Sequence, residues 1–285
     1  MPVMADGRRL HLHHGPIDLI IEATGAREAV HAAYDRAETA FPEVLPRLVA
    51  DLAVLRKPLG DALPDVACPV SQAMVAACWP YRAVFITPMA AVAGAVADHM
   101  MGILVKGDDL DRAYVNNGGD IALHLTGDER FDIGVVADPR RADLFGRLSV
   151  HADQPVRGLA TSGWRGRSFS LGIADAVTVL ATTSAQADAA ATIIANAVTV
   201  DHHAIHRVPA NSLTEDNELG DLLVTVAVGS LPHAAVAEAL DRGADMAARL
   251  VEAGLIFGAV LILGTDQRVI GGAMMLKNEG EETAP

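Results

Sequence analysis

The chain has 285 residues, of which 51% are hydrophobic but only 4% aromatic, and its formal net charge is −14. Small aliphatic side chains must therefore fill most of the core. The negative charge argues against nucleic acid or an anionic membrane as a partner, because phosphate groups require a positively charged surface. The sequence shows neither the pattern of a signal peptide nor an apolar run of about twenty residues that could cross a bilayer, so we expect a cytoplasmic protein.

Predicted helices and strands alternate along the chain. Strands are predicted near residues 15–23, 82–86, 114–125, 131–136, 157–161, 169–181, 222–228, 256–263 and 269–275, and helices near 27–41, within 41–64, and near 87–101, 184–206 and 232–253. Because the order lacks a strict βαβ rhythm, it indicates an α+β fold with largely antiparallel sheets. We expect residues 1–275 to form a single domain, as one body or as two intertwined α+β lobes, and residues 276–285 to form a disordered tail.

The third of these helices is predicted to lie buried. Thr87 is a residue type that caps helices, and Pro88 is suited to the first helical position. The residues that follow, M-A-A-V-A-G-A-V-A-D-H-M-M, are apolar on nearly every side. Such a helix belongs in the middle of a domain.

The alanine-rich helix after Thr183 carries the most informative polar residues. The helix is expected to begin at Ser184, a residue type that caps helix N-termini. Asp188, Thr192 and Asn196 follow at steps of four and share one face. Their oxygens are the hard ligands that Mg²⁺ prefers. The alternative is structural, with Thr192 and Asn196 bonded to backbone and Asp188 favoured by the helix dipole.

A glycine-rich segment is predicted to form a tight hairpin turn. It consists of Asn116, Asn117, Gly118, Gly119 and Asp120. Asn and Gly tolerate the positive φ that such turns require. The same segment could instead let a flat ring or a diphosphate approach the backbone, with Asp120 accepting a hydrogen bond from it.

A second polar segment follows the predicted strand at 157–161. It comprises Thr161, Ser162, Gly163, Trp164 and Arg165, with Arg167 two residues further on. Backbone and guanidinium donors here could bind an anionic group. An exposed polar loop is the alternative.

The segment Asp201-His202-His203-Ala204-Ile205-His206 has residues that bind metals. His202 and His206 stand four apart and would share a helix face at the end of the alanine-rich helix. A zinc hydrolase is one interpretation, and a structural or surface role is the other. Cys68 and Cys78 have no second pair, so we expect buried free thiols.

Four short motifs, in order, resemble the ApbE family of flavin transferases. The family's G-[GA]-I-A-K-G-x-A-x-D helix is similar to residues 89–98, its V-N-x-G-G-D-I turn to 115–121, its A-T-S-G to 160–163 and its A-D-A-x-A-T to 187–192. T-P-M-A-A-V-A-G-A-V-A-D, G-R-S-F-S-L-G-I-A-D-A-V-T-V and L-T-E-D-N-E-L-G are typical of an uncharacterised branch without a lipobox, and the resemblance covers residues 10–275.

The resemblance implies an ApbE-like fold and a specific site. In these enzymes Mg²⁺ is held by an Asp and a Thr four apart and by a backbone carbonyl of the buried helix, roles that fall here on Asp188, Thr192 and Ala90. The metal bridges the FAD diphosphate, and FMN is transferred to a protein threonine with release of AMP. The implied cofactor contacts are residues 116–120, Thr161, Ser162, Gly163 and Arg165.

Two departures from the family pattern leave the reaction open. Ala93 replaces the family's lysine, and the histidine of its H-I-I-D-P segment has no counterpart. Which residues would be catalytic is therefore unknown.

The expected function is a Mg²⁺-dependent site for FAD or a related phosphorylated cofactor, with FMN or phosphoryl transfer as the nearest precedent. The alternatives are a non-catalytic flavin-binding or assembly protein and an enzyme acting on another cofactor such as a pterin. The oligomeric state does not follow from the sequence, although sheet edges and small apolar residues would suit a homodimer.

Overall fold

The computed structural model describes residues 4, 7–107, 110–138, 141–214 and 216–271. Its helices are α1 (Arg27–Ala40), α2 (Val44–Leu55), α3 (Pro69–Cys78), α4 (Val92–Leu104), α5 (Ser184–Ala197) and α6 (His233–Glu252). Its strands are β1 (Leu10–His14), β2 (Ile17–Gly25), β3 (Leu110–Asn117), β4 (Asp120–Leu125), β5 (Arg130–Asp138), β6 (Arg141–His151), β7 (Gly158–Ser162), β8 (Ala176–Ala181), β9 (Ile205–Pro209), β10 (Leu223–Val228), β11 (Gly258–Leu263) and β12 (Asp266–Ile270).

Every strand pairing with a described register is antiparallel. Together with the six helices, this confirms the predicted α+β class. None of the helices in the described ranges is long and apolar enough to cross a membrane.

The chain divides into two compact units. The first unit comprises Met1–Arg130, His151–Ala160 and Ala181–Ala189, and the second comprises Phe131–Val150, Thr161–Leu180 and Ala190–Pro285. In the first unit, β1, β2, β3 and β4 pair in sequence order, and β4 also pairs with the start of β7. In the second unit, β8 and β12 flank β11, and α6 packs on β11 and β12.

Helix α4 forms the centre of the first unit. It packs against β3 and β4 on one side and against α1 and α3. Seven of its residues are buried, namely Gly94, Ala95, Val96, Ala97, Met100, Met101 and Leu104. The prediction of a buried small-residue helix is therefore confirmed. Its start differs, because Pro88–Ala91 forms a 3₁₀ turn before the α-helix begins at Val92.

The predicted strand at 82–86 is wrong. The amides of Arg82 and Val84 donate to the carbonyls of Trp79 and Tyr81, so this segment forms local turns. Val84 is 52% exposed, and the apolar run therefore does not mark a core strand. Helix α3, which was not predicted, precedes these turns, and both Cys68 and Cys78 are buried free thiols as expected.

The continuation of α5 through the histidine-rich segment is also wrong. The helix ends at Ala197, and the Val198 carbonyl accepts a hydrogen bond from the Ile173 amide (2.8 Å). His202 lies in a turn, where its Nδ1 accepts from the Ala204 amide, whereas His206 lies in β9. They therefore share no helix face. The tail 276–285 and the end of the strand predicted at 269–275 lie outside the described residues.

Candidate functional site

The segment 116–120 forms the hairpin turn between β3 and β4. Gly118 and Gly119 have φ of 68° and 116°, which L side chains rarely adopt. The Gly119 amide donates to Asn116 Oδ1 (2.8 Å), which closes the turn. A Cβ at Gly119 would meet nothing within 4 Å, so backbone conformation and not close packing is the reason for glycine at this position.

Asn117 ties this hairpin to the start of α4. Its side chain is buried, and its Nδ2 donates to the Ala93 carbonyl (3.1 Å). The amide therefore has a structural partner in the first unit. Asp120, directly opposite Asn117 in the register, is partly exposed.

Asp188 caps helix α4 from another helix. Its Oδ2 accepts from the Gly94 amide (3.0 Å) at the third residue of α4. The residue before α4, Ala91, offers no side-chain cap of its own. The carboxylate thus takes the place of an N-cap side chain, where the helix dipole favours negative charge.

The surroundings of Asp188 disfavour its negative charge. Burial raises the pKa of Asp188 well above the ordinary value of an aspartate, and the charge of Asp120 raises it further. Hydrogen bonds from the amides of Gly94 and Ala93 act in the opposite direction but are weaker. A cation beside these two carboxylates would relieve their mutual repulsion.

Asp98 of α4 in turn caps α5. Its two carboxylate oxygens accept from the amides of Ser184 (2.9 Å) and Ala185 (2.8 Å). Ser184 was expected to be the cap, but it is the first helical residue, and Thr183 Oγ1 accepts from the Gln186 amide instead. The Thr183 carbonyl accepts from the Ala187 amide, so all four N-terminal amides of α5 have partners.

Two glycines let other elements approach this helix start. A Cβ at Gly94 would lie 2.4 Å from the Ser184 carbonyl oxygen, and one at Gly158 would lie 1.9 Å from the Thr183 carbonyl carbon. Both distances are far below van der Waals contact. Only glycine therefore allows α4 and β7 to pass this close to the N-terminus of α5.

Of the remaining predicted metal ligands, Thr192 lies on the expected helix, whereas Ala90 lies just before the buried helix begins. Thr192 is partly exposed and lies one turn after Asp188 in α5. Ala90 lies in the 3₁₀ turn before α4, and its amide donates to the Thr87 carbonyl (3.1 Å). Asn196 Oδ1 accepts from the Leu171 amide (2.9 Å), in agreement with the structural alternative for this residue. In the described part of the chain, no group of three or more His, Cys, Asp or Glu side chains could hold a metal ion.

The other predicted cofactor contacts belong to the second unit. Thr161 Oγ1 lies 2.9 Å from Thr178 Oγ1, and Ser162 is partly exposed. Arg165 Nε donates to Asp175, which is 9% exposed and also accepts from Trp164 Nε1 (3.0 Å) and the Gly264 amide (2.7 Å). Asp175 therefore balances the Arg165 charge. Close packing explains Gly163, where a Cβ would lie 2.4 Å from the Asp175 carbonyl oxygen.

Sequence reasoning missed Asp98 and the two glycines that frame α5. A carboxylate within an otherwise apolar helix, four residues after a glycine, was a usable signal in Gly94-Ala95-Val96-Ala97-Asp98. Its partner could not be found in the same way, because Ser184 lies 86 residues away along the chain.

Comparison with known proteins places this architecture among ApbE proteins. A flavin transferase ApbE from Vibrio cholerae, in a histidine-to-glycine variant, matches with a TM-score of 0.50 and 11% identity over 93% of this chain and 98% of that chain. The apo flavinyl transferase ApbE from Pseudomonas stutzeri covers 93% of this chain and 94% of its own, with a TM-score of 0.49 and 12% identity. At such identities, the Vibrio cholerae likeness establishes the fold.

Curated relatives match a shorter stretch. A UPF0280 protein of Methanothrix thermoacetophila is 41% identical over 115 residues, which are 40% of this chain and 47% of the relative. A second, from Methanocaldococcus jannaschii, is 40% identical over 111 residues, which are 39% of this chain and 44% of the relative. The chain thus spans about half the length of the curated relatives it matches.

The family described as AbpE bacteria matches residues 1–275. The chain therefore belongs to that AbpE family.

Proposed function

We propose that this protein binds Mg²⁺ together with FAD or a related diphosphate cofactor, and that it transfers FMN from FAD to a threonine hydroxyl of an acceptor protein. The threonine oxygen would form a bond to the FMN phosphorus as the diphosphate P–O bond breaks, and AMP would leave with the hydroxyl proton released. The observation that carries the proposal is the position of Asp188. Its carboxylate is oriented by the Gly94 amide and is destabilised by burial and by Asp120. A divalent cation would remove that destabilisation.

The available donors suit Mg²⁺. They are a carboxylate on Asp188, a hydroxyl on Thr192 one turn later and the carbonyl predicted at Ala90, with Asp120 as a second carboxylate close enough to raise the pKa of Asp188. All are hard oxygen ligands, which Mg²⁺ prefers over zinc or copper. One Asp188 oxygen is already engaged by a backbone amide, so the side chain needs little reorganisation to bind an ion.

The amides at the starts of α4 and α5 are engaged and leave few backbone donors for a diphosphate. Helix N-termini commonly bind phosphate, but the first four amides of α5 are taken by Asp98 and Thr183. The amides of Ala93 and Gly94 at the start of α4 are directed to Asp188. When bound, Mg²⁺ would supply the charge neutralisation that a diphosphate needs. Asp188 and Thr192 would hold the ion, and the turn at Gly118 and Gly119 would leave space for the cofactor.

The test is incubation of the purified protein with FAD and MgCl₂, with AMP followed by chromatography and flavin binding by fluorescence. We expect Mg²⁺-dependent flavin binding, AMP release with a threonine-containing acceptor, and loss of both in Asp188→Ala. Asp61→Ala, which replaces an exposed aspartate of the first unit outside every candidate site, is the control and should behave as wild type. Absence of flavin binding together with absence of AMP would refute the proposal.

A non-catalytic cofactor-binding protein is the second candidate. It is favoured by Ala93, which stands at the partly exposed start of α4 where the family carries a lysine. Loss of a cation from a phosphoryl-transfer site removes charge stabilisation worth orders of magnitude in rate. Tight flavin binding without AMP release would support this candidate, and native mass spectrometry of the purified protein would identify a different bound cofactor.

A further inference from the structure

Asp98 and Asp188 link the N-terminal turns of α4 and α5 in a reciprocal arrangement. Asp98 belongs to α4 and binds the first two amides of α5, whereas Asp188 belongs to α5 and binds an amide in the first turn of α4. Each carboxylate therefore accepts hydrogen bonds from amides at the N-terminus of the helix that carries the other carboxylate. The separation of these helix starts depends on both residues.

The Asp98 carboxylate makes two short hydrogen bonds to the start of α5. Both oxygens are engaged, at 2.9 Å and 2.8 Å, by consecutive amides, so the carboxylate defines the direction of α5 as well as its position. Hydrogen bonds to an ionised group are among the strongest in proteins. Gly94, one turn before Asp98, keeps the two backbones in contact at the same place.

Asp188 lies one turn beyond the amides that Asp98 holds. A helical turn rises only about 5.4 Å, so a small displacement or rotation of the first turn of α5 moves the Asp188 carboxylate by a similar amount. Metal ligands tolerate errors of only about 0.2 Å in distance. Groups that orient a ligand therefore influence metal affinity strongly.

We infer that Asp98 is a positioning residue for the metal site, which sets the Asp188 carboxylate by holding the first turn of α5. This inference rests on the proposed function, because it requires Asp188 to be a ligand. It extends the site to a residue that is not proposed to bind metal or cofactor and that acts by holding the first turn of α5, while its charge also raises the pKa of Asp188.

The test measures Mn²⁺ binding by the loss of the free-ion EPR signal, with Mg²⁺ as competitor, so that it needs no enzymatic activity. In Asp98→Asn one oxygen becomes an NH₂ group that faces a backbone amide, so one of the two bonds is lost. We expect the dissociation constant for Mn²⁺ to rise by about tenfold to a hundredfold. Asp98→Glu keeps the charge and both oxygens but is one methylene longer. It should retain most of the thermal stability while still weakening Mn²⁺ binding, and it serves as the test if Asp98→Asn does not fold.

Asp51→Asn is the matched control. Asp51 lies in α2 of the same unit and accepts from the Cys68 amide (3.1 Å) at the start of α3, so it also caps a helix from another helix. The control should lower the melting temperature but leave the Mn²⁺ dissociation constant unchanged.

The outcomes separate the two proposals. Stoichiometric binding by wild type, its loss in Asp188→Ala and unchanged affinity in both Asp98 variants would overturn the positioning role and leave the metal site intact. Absence of Mn²⁺ and Mg²⁺ binding by wild type would overturn the proposed metal site, and this inference with it. Weakened binding in both Asp98 variants and unchanged binding in Asp51→Asn would support the inference.

Discussion

Gly94→Ala tests the close approach of α4 and α5 directly. The added Cβ would lie 2.4 Å from the Ser184 carbonyl oxygen and 2.7 Å from the Ala185 amide nitrogen. The shorter distance is about 1 Å below the roughly 3.5 Å at which non-bonded atoms pack. Both contacts are backbone, so the start of α5 must move away from α4.

Three effects determine how Gly94→Ala changes the free energy of unfolding. Overpacking of this kind costs about 1–3 kcal/mol. Displacement of α5 also stretches the hydrogen bonds to Asp98, each worth about 1.5–3 kcal/mol because the acceptor is charged. Replacement of glycine within a helix returns about 1 kcal/mol. We therefore expect a net loss of about 3 kcal/mol, or a fall in Tm of roughly 5 to 10 °C.

Thermal melts followed by far-UV circular dichroism give the result, and Gly102→Ala is the control. Gly102 lies in the same helix and is exposed, and a Cβ added there would meet nothing within 4 Å. The control should gain up to about 1 kcal/mol from helix propensity alone. Equal melting temperatures for the two variants would refute the packing of α5 against Gly94.

Two further substitutions test the charged groups. Because the pKa of Asp188 is raised, the folded state binds this proton more tightly than the unfolded chain, and the metal-free protein should lose stability as pH rises from about 4 through the raised value. Asp188→Asn can still accept a hydrogen bond from Gly94, so it should be more stable than wild type in EDTA at pH 8 and should lose this pH dependence. Thermal melts between pH 4 and 9 provide the measurement. A variant less stable than wild type at pH 8 would contradict a raised pKa for Asp188. In the second unit, Asp175→Ala leaves Arg165, Trp164 and the Gly264 amide without their shared acceptor and should cost about 3 kcal/mol in urea unfolding. Asp241→Ala removes the acceptor of Arg268 at a site where Asp241 is 62% exposed, and it should change stability by less than about 1 kcal/mol; a similar loss in both variants would argue against a special role for Asp175.

Local chemistry made several elements predictable from the sequence. Local patterns identified α1 and α6 to within a few residues and the start of α5, and the Asn-Asn-Gly-Gly turn followed from the positive φ that glycine tolerates. The resemblance to ApbE proteins came from four motifs that are each local in sequence. Such features need no knowledge of what packs against them.

Other elements depended on hydrogen-bond partners that the residue pattern does not reveal, whether near or distant in sequence. The apolar residues 82–86 read as a strand, yet turns formed because their amides bond to nearby carbonyls. The histidine-rich segment was read as helix, but the Val198 carbonyl bonds to the Ile173 amide and the chain leaves the helix there. Helical spacing alone does not reveal where such a competing partner lies.

In the candidate site, too, the sequence predicts the local arrangement, and the tertiary structure decides the contacts between distant residues. The amino-acid sequence by itself placed Asp188 and Thr192 one turn apart on an alanine-rich helix, because helical periodicity is a local property. Only the tertiary structure joined Asp98 to Ser184, 86 residues away, and Asp188 to Gly94, 94 residues away. The physical reason is that a helix N-terminus exposes amides that any nearby carboxylate can satisfy, and which carboxylate reaches them is decided by how closely the two backbones pack.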